Sequence, residues 1–81
     1  MKVKVKIYDE VKYNPLSEKI AEVEYDEVNG FDVVSDPATV EEIESCTDGN
    51  SIDENHEYLV LYFENGETST FRNSHVDLFR I

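Results

Sequence analysis

Apolar and polar residues alternate strictly from Lys2 to Tyr8, with Val3, Val5 and Ile7 on one side and Lys2, Lys4 and Lys6 on the other. A period of two with one apolar face predicts a half-buried strand. Three lysines on its outer face would also blunt a sheet edge. Asp9 to Lys19 is polar and contains Asn14-Pro15, which predicts a long loop or a single helical turn. The next segment fits two periods. Leu16, Ile20 and Val23 would make a helix stripe, whereas Ala21, Val23 and Tyr25 against Glu22, Glu24 and Asp26 would make a strand. Asn29-Gly30 decides for the strand, because Asn-Gly between apolar alternations is the strongest short hairpin signal. Strands are therefore expected at about 20–28 and 31–35, joined by that turn.

Asp36-Pro37 predicts a helix start, with an Asp cap and Pro at the first helical position. Val40, Ile43 and Cys46 form a narrow apolar stripe expected to pack inward, and Thr47-Asp48-Gly49-Asn50 stops the helix. Ser51 to Glu57 is a polar loop. Tyr58 to Glu64 is apolar on both faces, which marks a central strand. Asn65-Gly66 turns the chain into a strand at Glu67–Arg72, Asn73-Ser74 turns it again, and Val76 to Ile81 is a last strand. The order is strand, loop, two strands, helix, three strands, in one domain of 81 residues with no internal repeat. The expected fold is α+β and mostly β. It is a small barrel or a strongly bent antiparallel sheet of about six strands, with one short helix at about 37–46 inserted.

The C-terminal segment ETSTFRNSHVDLFRI follows an Asn-Gly hairpin and resembles the end of an SH3-like barrel. Phe71, Asn73, Ser74, Val76 and Leu78 occupy the places of an aromatic, a short polar 3₁₀ turn and a final strand. KIYDE near the start is similar to the opening strand of that fold. The chain has no Trp, and the groove proline of SH3 domains is missing as well. The resemblance therefore implies an SH3-like fold but not recognition of Pro-rich peptides.

Charge changes the picture most. Nineteen Asp and Glu against seven Lys and Arg give a net charge of −12. From Ile20 to Phe71 there are fifteen carboxylates and no Lys or Arg. Such a field repels nucleic acid and anionic lipid and attracts basic partners. The expected partner is thus a basic protein, with no direct nucleic acid and no membrane. MKVKVKIYDE has no secretory h-region, and YLVLYF is far too short to span a bilayer. A cytoplasmic protein is expected, in the host cell's cytoplasm if phage-encoded.

Specific chemistry finds little footing. An EF-hand loop starting at Glu44 would place Cys46 at its third position and Asn55 at its twelfth. One starting at Asp48 places Ile52, Asp53 and Leu59 at the fifth, sixth and twelfth. Neither register works, which leaves only weak adventitious Ca²⁺ binding. Cys46, His56 and His75 are too widely spaced for a metal motif. Cys46 reads as a small hydrophobe, in a negative neighbourhood that disfavours its thiolate. Paired carboxylates for hydrolysis need a cleft that so short a chain rarely builds. No catalytic residue, metal or cofactor is expected, and the protein reads as a non-enzyme. Most aromatics read as core, with one or two exposed tyrosines available to an interface.

The carboxylates remain as a collective feature. Ordinary surfaces mix signs, since like charges on one face repel. On strand 20–28, Glu22, Glu24 and Asp26 would share a face, spaced roughly 6.6–6.8 Å apart. A DNA strand carries one charge per about 3.4 Å of axis, wound around it so that neighbour distances are longer, and the two rows are comparable in scale though not superposable. Candidate contacts are Glu22, Glu24, Asp26, Glu41, Glu42, Glu44, Asp48, Asp53, Glu54 and Glu57. In length, charge and lack of a catalytic motif the chain resembles small phage- and plasmid-encoded inhibitors of the anti-CRISPR, anti-restriction and DNA glycosylase inhibitor type. That resemblance implies a nucleic-acid mimic that blocks the basic channel of a nuclease or defence effector. The alternative is an SH3-like adaptor that binds a basic protein or peptide. Carboxylates gathered on one face favour mimicry, and carboxylates spread around the barrel favour a solubility role.

Overall fold

The computed structural model describes residues 1–81, the side chain of Asn50 excepted. Its elements follow the expected order: β1 (Val3–Tyr8), β2 (Lys19–Tyr25), β3 (Val28–Val34), α1 (Pro37–Ser45), β4 (Tyr58–Phe63), β5 (Thr68–Arg72) and β6 (Val76–Arg80). Single 3₁₀ turns occupy Gly49–Ser51 and Asn73–His75, the latter in the place the C-terminal pattern assigns to it. The strands form two antiparallel three-stranded sheets, ordered β2-β1-β6 and β3-β4-β5. Here β3 and β6 are terminal strands that do not pair with each other, so no closed barrel forms.

The first Asn-Gly is a correction. β2 and β3 are not a hairpin and belong to different sheets. The chain bends between the sheets at Asp26-Glu27, and Glu27 carries the left-handed backbone (φ 57°). Asn29-Gly30 lies within β3 as a bulge, where the ladder steps from Val28 opposite Phe63 to Gly30 opposite Tyr62. Long-range pairing overrides the local turn preference. The Val28 N–H donates to the Met1 carbonyl at 3.0 Å. The Met1 ammonium donates to the Val28 carbonyl at 2.7 Å, and Val28 is buried. The second Asn-Gly behaves as expected. Gly66 sits at φ 87°, and Asn65 Oδ1 accepts from the Glu67 N–H at 3.0 Å.

Between the sheets lies the core of Val3, Val5, Val28, Leu59, Leu61 and Val76. Ile7, Tyr25, Phe63, Phe71 and Leu78 pack against it. β4 is apolar on both faces because both are covered. Leu59 and Leu61 face the other sheet. On the opposite face Val60 is buried, and Val60, Val34 and Ile43 line a cleft between the sheet and α1. The helix starts as predicted, with the Asp36 carboxylate accepting from the Thr39 N–H at 3.0 Å and Pro37 in the first turn. Of its apolar stripe, Val40 is buried and Ile43 half-buried, but Cys46 is exposed. The helix ends at Ser45, so Cys46 is its C-cap, exposed while still lining the cleft that Ile43, Val34 and Val60 line. Among the described residues no helix is long and apolar enough to cross a membrane.

Candidate partner-binding surface

The sheets divide the charge unequally. Residues 1–26 and 73–81, which supply β1, β2 and β6, hold seven carboxylates and six cations. Residues 27–72, which supply β3, α1, β4 and β5, hold twelve carboxylates and Arg72 alone. The balance is −1 on one half and −11 on the other.

On the near-neutral half the carboxylate row of β2 exists but is not bare. β1 pairs with β2 so that Lys4 stands opposite Glu24 and Lys6 opposite Glu22. Lys4 Nζ lies 3.9 Å from Glu24, Lys2 3.7 Å from Asp26, and Lys19 3.8 Å from Glu22. Lys6 instead sits over the Phe79 ring, 4.8 Å from its centroid. Lys12 meets Asp77 at 3.4 Å. Exposed pairs of this kind add at most about 1 kcal/mol each to stability. Their larger effect is to cancel the field over this face. Glu22, Glu24 and Asp26 therefore form a mixed ladder and not the continuous negative row expected.

On the acidic half the candidates separate. Glu41 and Glu42 are exposed on α1. Glu44, half-buried, accepts from Nδ1 of His56, whose backbone is also left-handed (φ 55°). Asp48 accepts from Ser51 Oγ at 3.3 Å. Glu54 is exposed, and Glu57 is exposed while accepting from Asn73 Nδ2 at 3.3 Å. The side chain of Asn50, third position of one calcium register, lies outside the described residues.

Asp53 leaves the surface altogether, with 0% exposure. Its carboxylate accepts from the Asn55 N–H at 2.7 Å, the Ser74 N–H at 3.1 Å and Ser74 Oγ at 2.7 Å. Its own N–H donates to the Tyr58 hydroxyl at 3.1 Å. Burial pushes the carboxyl pKa up. The Ser74 and Asn55 hydrogen bonds, with His75 nearby, outweigh that and hold it below its ordinary value. This carboxylate stitches the 52–57 loop to the last turn.

Carboxylates outside the expected set fill the same half: Glu27 and Asp32 are exposed, as are Glu64 and Glu67 of the β4–β5 hairpin. They lie outside the two stretches, 22–26 and 41–57, from which the candidate contacts come. The signal was the cation-free span itself. Among the described residues no three His, Cys, Asp or Glu side chains converge as a metal site. His56 lies in the loop and His75 in the 3₁₀ turn, where its Nδ1 is 2.8 Å from Ser74 Oγ. Comparison with protein-family models, curated proteins and solved structures finds no match to this chain.

Proposed function

We propose that the protein is a non-enzymatic inhibitor that presents the acidic half, α1 with the 48–57 loop and the β4–β5 hairpin, as a substitute for nucleic acid. Its target is the basic channel of a nuclease or defence effector of the kind met by anti-CRISPR or anti-restriction proteins. The observation that carries this reading is the segregation of charge. One half sets lysines against its β2 carboxylates, while the other keeps twelve with a single Arg. A solubility role needs no such division, since it is served by net charge wherever it lies. Binding would compete for the phosphate-contacting Lys and Arg of the target, with fast association and steep salt dependence.

The test is displacement. Duplex DNA is titrated onto a panel of nucleases and Cas-type effectors, with and without the protein, from low to high salt. At least one enzyme loses DNA affinity at low salt and recovers it as salt rises. Unchanged DNA affinity across the whole panel contradicts the proposal.

A second reading, an SH3-like adaptor that holds a basic protein without blocking it, is favoured by the 3₁₀ turn before β6 and by the element order. It predicts binding to the same basic proteins with their DNA affinity intact.

A further inference from the structure

One of the two places where the barrel fails to close is a groove of about 560 Å³ between β3 and β6. Its walls include Phe31 and Val33 of β3 and Leu78 and Phe79 of β6, with Arg80 and the Lys12–Asp77 pair as its charged members. Phe31 and Val33 stand opposite Leu61 and Leu59, two core residues, and so point to the inner side of their sheet. Yet they are 41% and 50% exposed, because the other sheet does not reach over them. Across the groove Leu78, opposite the core residue Val5, faces inward, while Phe79, 44% exposed, stands opposite Lys4 on the outer side with Lys6 over its ring. Beyond Val28, which bonds Met1, the outer edge of β3 has no strand beside it among the described residues. An edge strand with apolar side chains and free N–H and C=O groups is a template for another strand.

The charge on this edge selects the occupant. Asp32, exposed, stands opposite Val60 and so faces the outer side, between Phe31 and Val33. Glu27 and Asp36, also exposed, bracket the strand. None of the three makes an ion pair among the described residues. A complementary strand would therefore read apolar, basic, apolar. The fold already contains that pairing once. In β1, Val3-Lys4-Val5 lies antiparallel to Val23-Glu24-Tyr25 of β2, apolar opposite apolar and Lys4 opposite Glu24. Along the β3 edge the acidic half of the same arrangement stands without its partner. A second copy of β3 would set Asp32 against Asp32, and two whole chains would add a repulsion of −12 against −12.

We propose that the β3 edge and its groove receive one extended segment of the basic partner, alternating apolar and Lys or Arg residues. The segment adds to the sheet as a fourth strand, with its apolar side chains in the groove. This rests on the reading that the partner is basic, but its test uses no nucleic acid. Failure here leaves the displacement experiment intact, and failure there leaves this edge intact.

The probe is an acetylated, amidated peptide Lys-Val-Lys-Val-Lys-Val-Lys, titrated to millimolar concentration against ¹⁵N-labelled protein. Chemical-shift changes should centre on Gly30–Val34 and Leu78–Arg80. Methylating alternate peptide nitrogens should weaken binding about tenfold, because one edge of ladder bonds is lost. A peptide of the same composition with its lysines in one block should weaken comparably. The exposed pair Phe31→Thr/Val33→Thr should also weaken the alternating peptide, and Asp32→Lys should do so through charge alone. Shifts centred on α1 and the 48–57 loop would overturn the proposal. So would shifts on β2 that report displacement of β1, equal binding of the N-methylated or block peptide, or no binding.

Discussion

Asp53 joins the acidic loop to the last turn of the chain with two hydrogen bonds accepted from Ser74, and accepts a third from the Asn55 N–H within the loop. Hydrogen bonds to a buried charged group contribute about 1.5–3 kcal/mol each, and losing them strands their donors. Asp53→Ala should therefore cost about 2–3 kcal/mol in urea denaturation and lower the melting temperature by roughly ten degrees. The pH dependence follows from the sign of the shift. The folded carboxyl lies below its ordinary 3.8, so its contribution is present above that value and lost as pH falls through the folded pKa. The stability difference between wild type and Asp53→Asn should be level from about pH 7 to 5 and narrow in more acid solution. A difference that grows on acidification would contradict this assignment. Nothing in the sequence separates Asp53 from its neighbour Glu54. The distinguishing partner, Ser74, is 21 positions away and is brought near only by the fold. Cys46 was obscured for a different reason: its spacing continues the helix stripe, but the helix ends one residue before it.

At the scale of elements, two identical dipeptides show how far local signals reach. Asn65-Gly66 makes a hairpin because nothing competes with its turn. Asn29-Gly30 is drawn into β3 by pairing to Met1 on one side and Phe63 on the other. The difference is measurable. Gly66→Ala must hold an L-residue at φ 87° and should cost about 1–2 kcal/mol. Gly30→Ala meets no atom within 4 Å and needs no left-handed backbone, so it should stay within about 0.5 kcal/mol. Equal costs in chemical denaturation would mean that Asn29-Gly30 turns the chain after all. The helix was legible because its start is a local motif, Asp36-Pro37. β4 was legible because both its faces are apolar. The bend at Glu27 was not, since no residue there favours a left-handed backbone.

For the whole molecule, the cation-free span told the sign and size of the field but not its place. In sequence only Lys19 stands near the β2 carboxylates; Lys2 and Lys4 come from the β1 segment, and only the β1–β2 register brings Lys4 to Glu24. Conversely, Glu64 and Glu67 join the acidic half through the fold, far in sequence from the helix. Matched sets of three charges separate the two halves most directly. Glu41→Gln/Glu42→Gln/Glu54→Gln removes three exposed carboxylates from the acidic half, and Glu22→Gln/Glu24→Gln/Asp26→Asn removes three from the lysine-paired ladder. Each is compared with wild type in displacing duplex DNA from an enzyme that the wild type displaces at low salt. The first set should weaken displacement about tenfold or more and the second about twofold or less, since its charges are already cancelled. Equal losses from the two sets, or a greater loss from the ladder, would contradict the assignment of the binding surface to the acidic half.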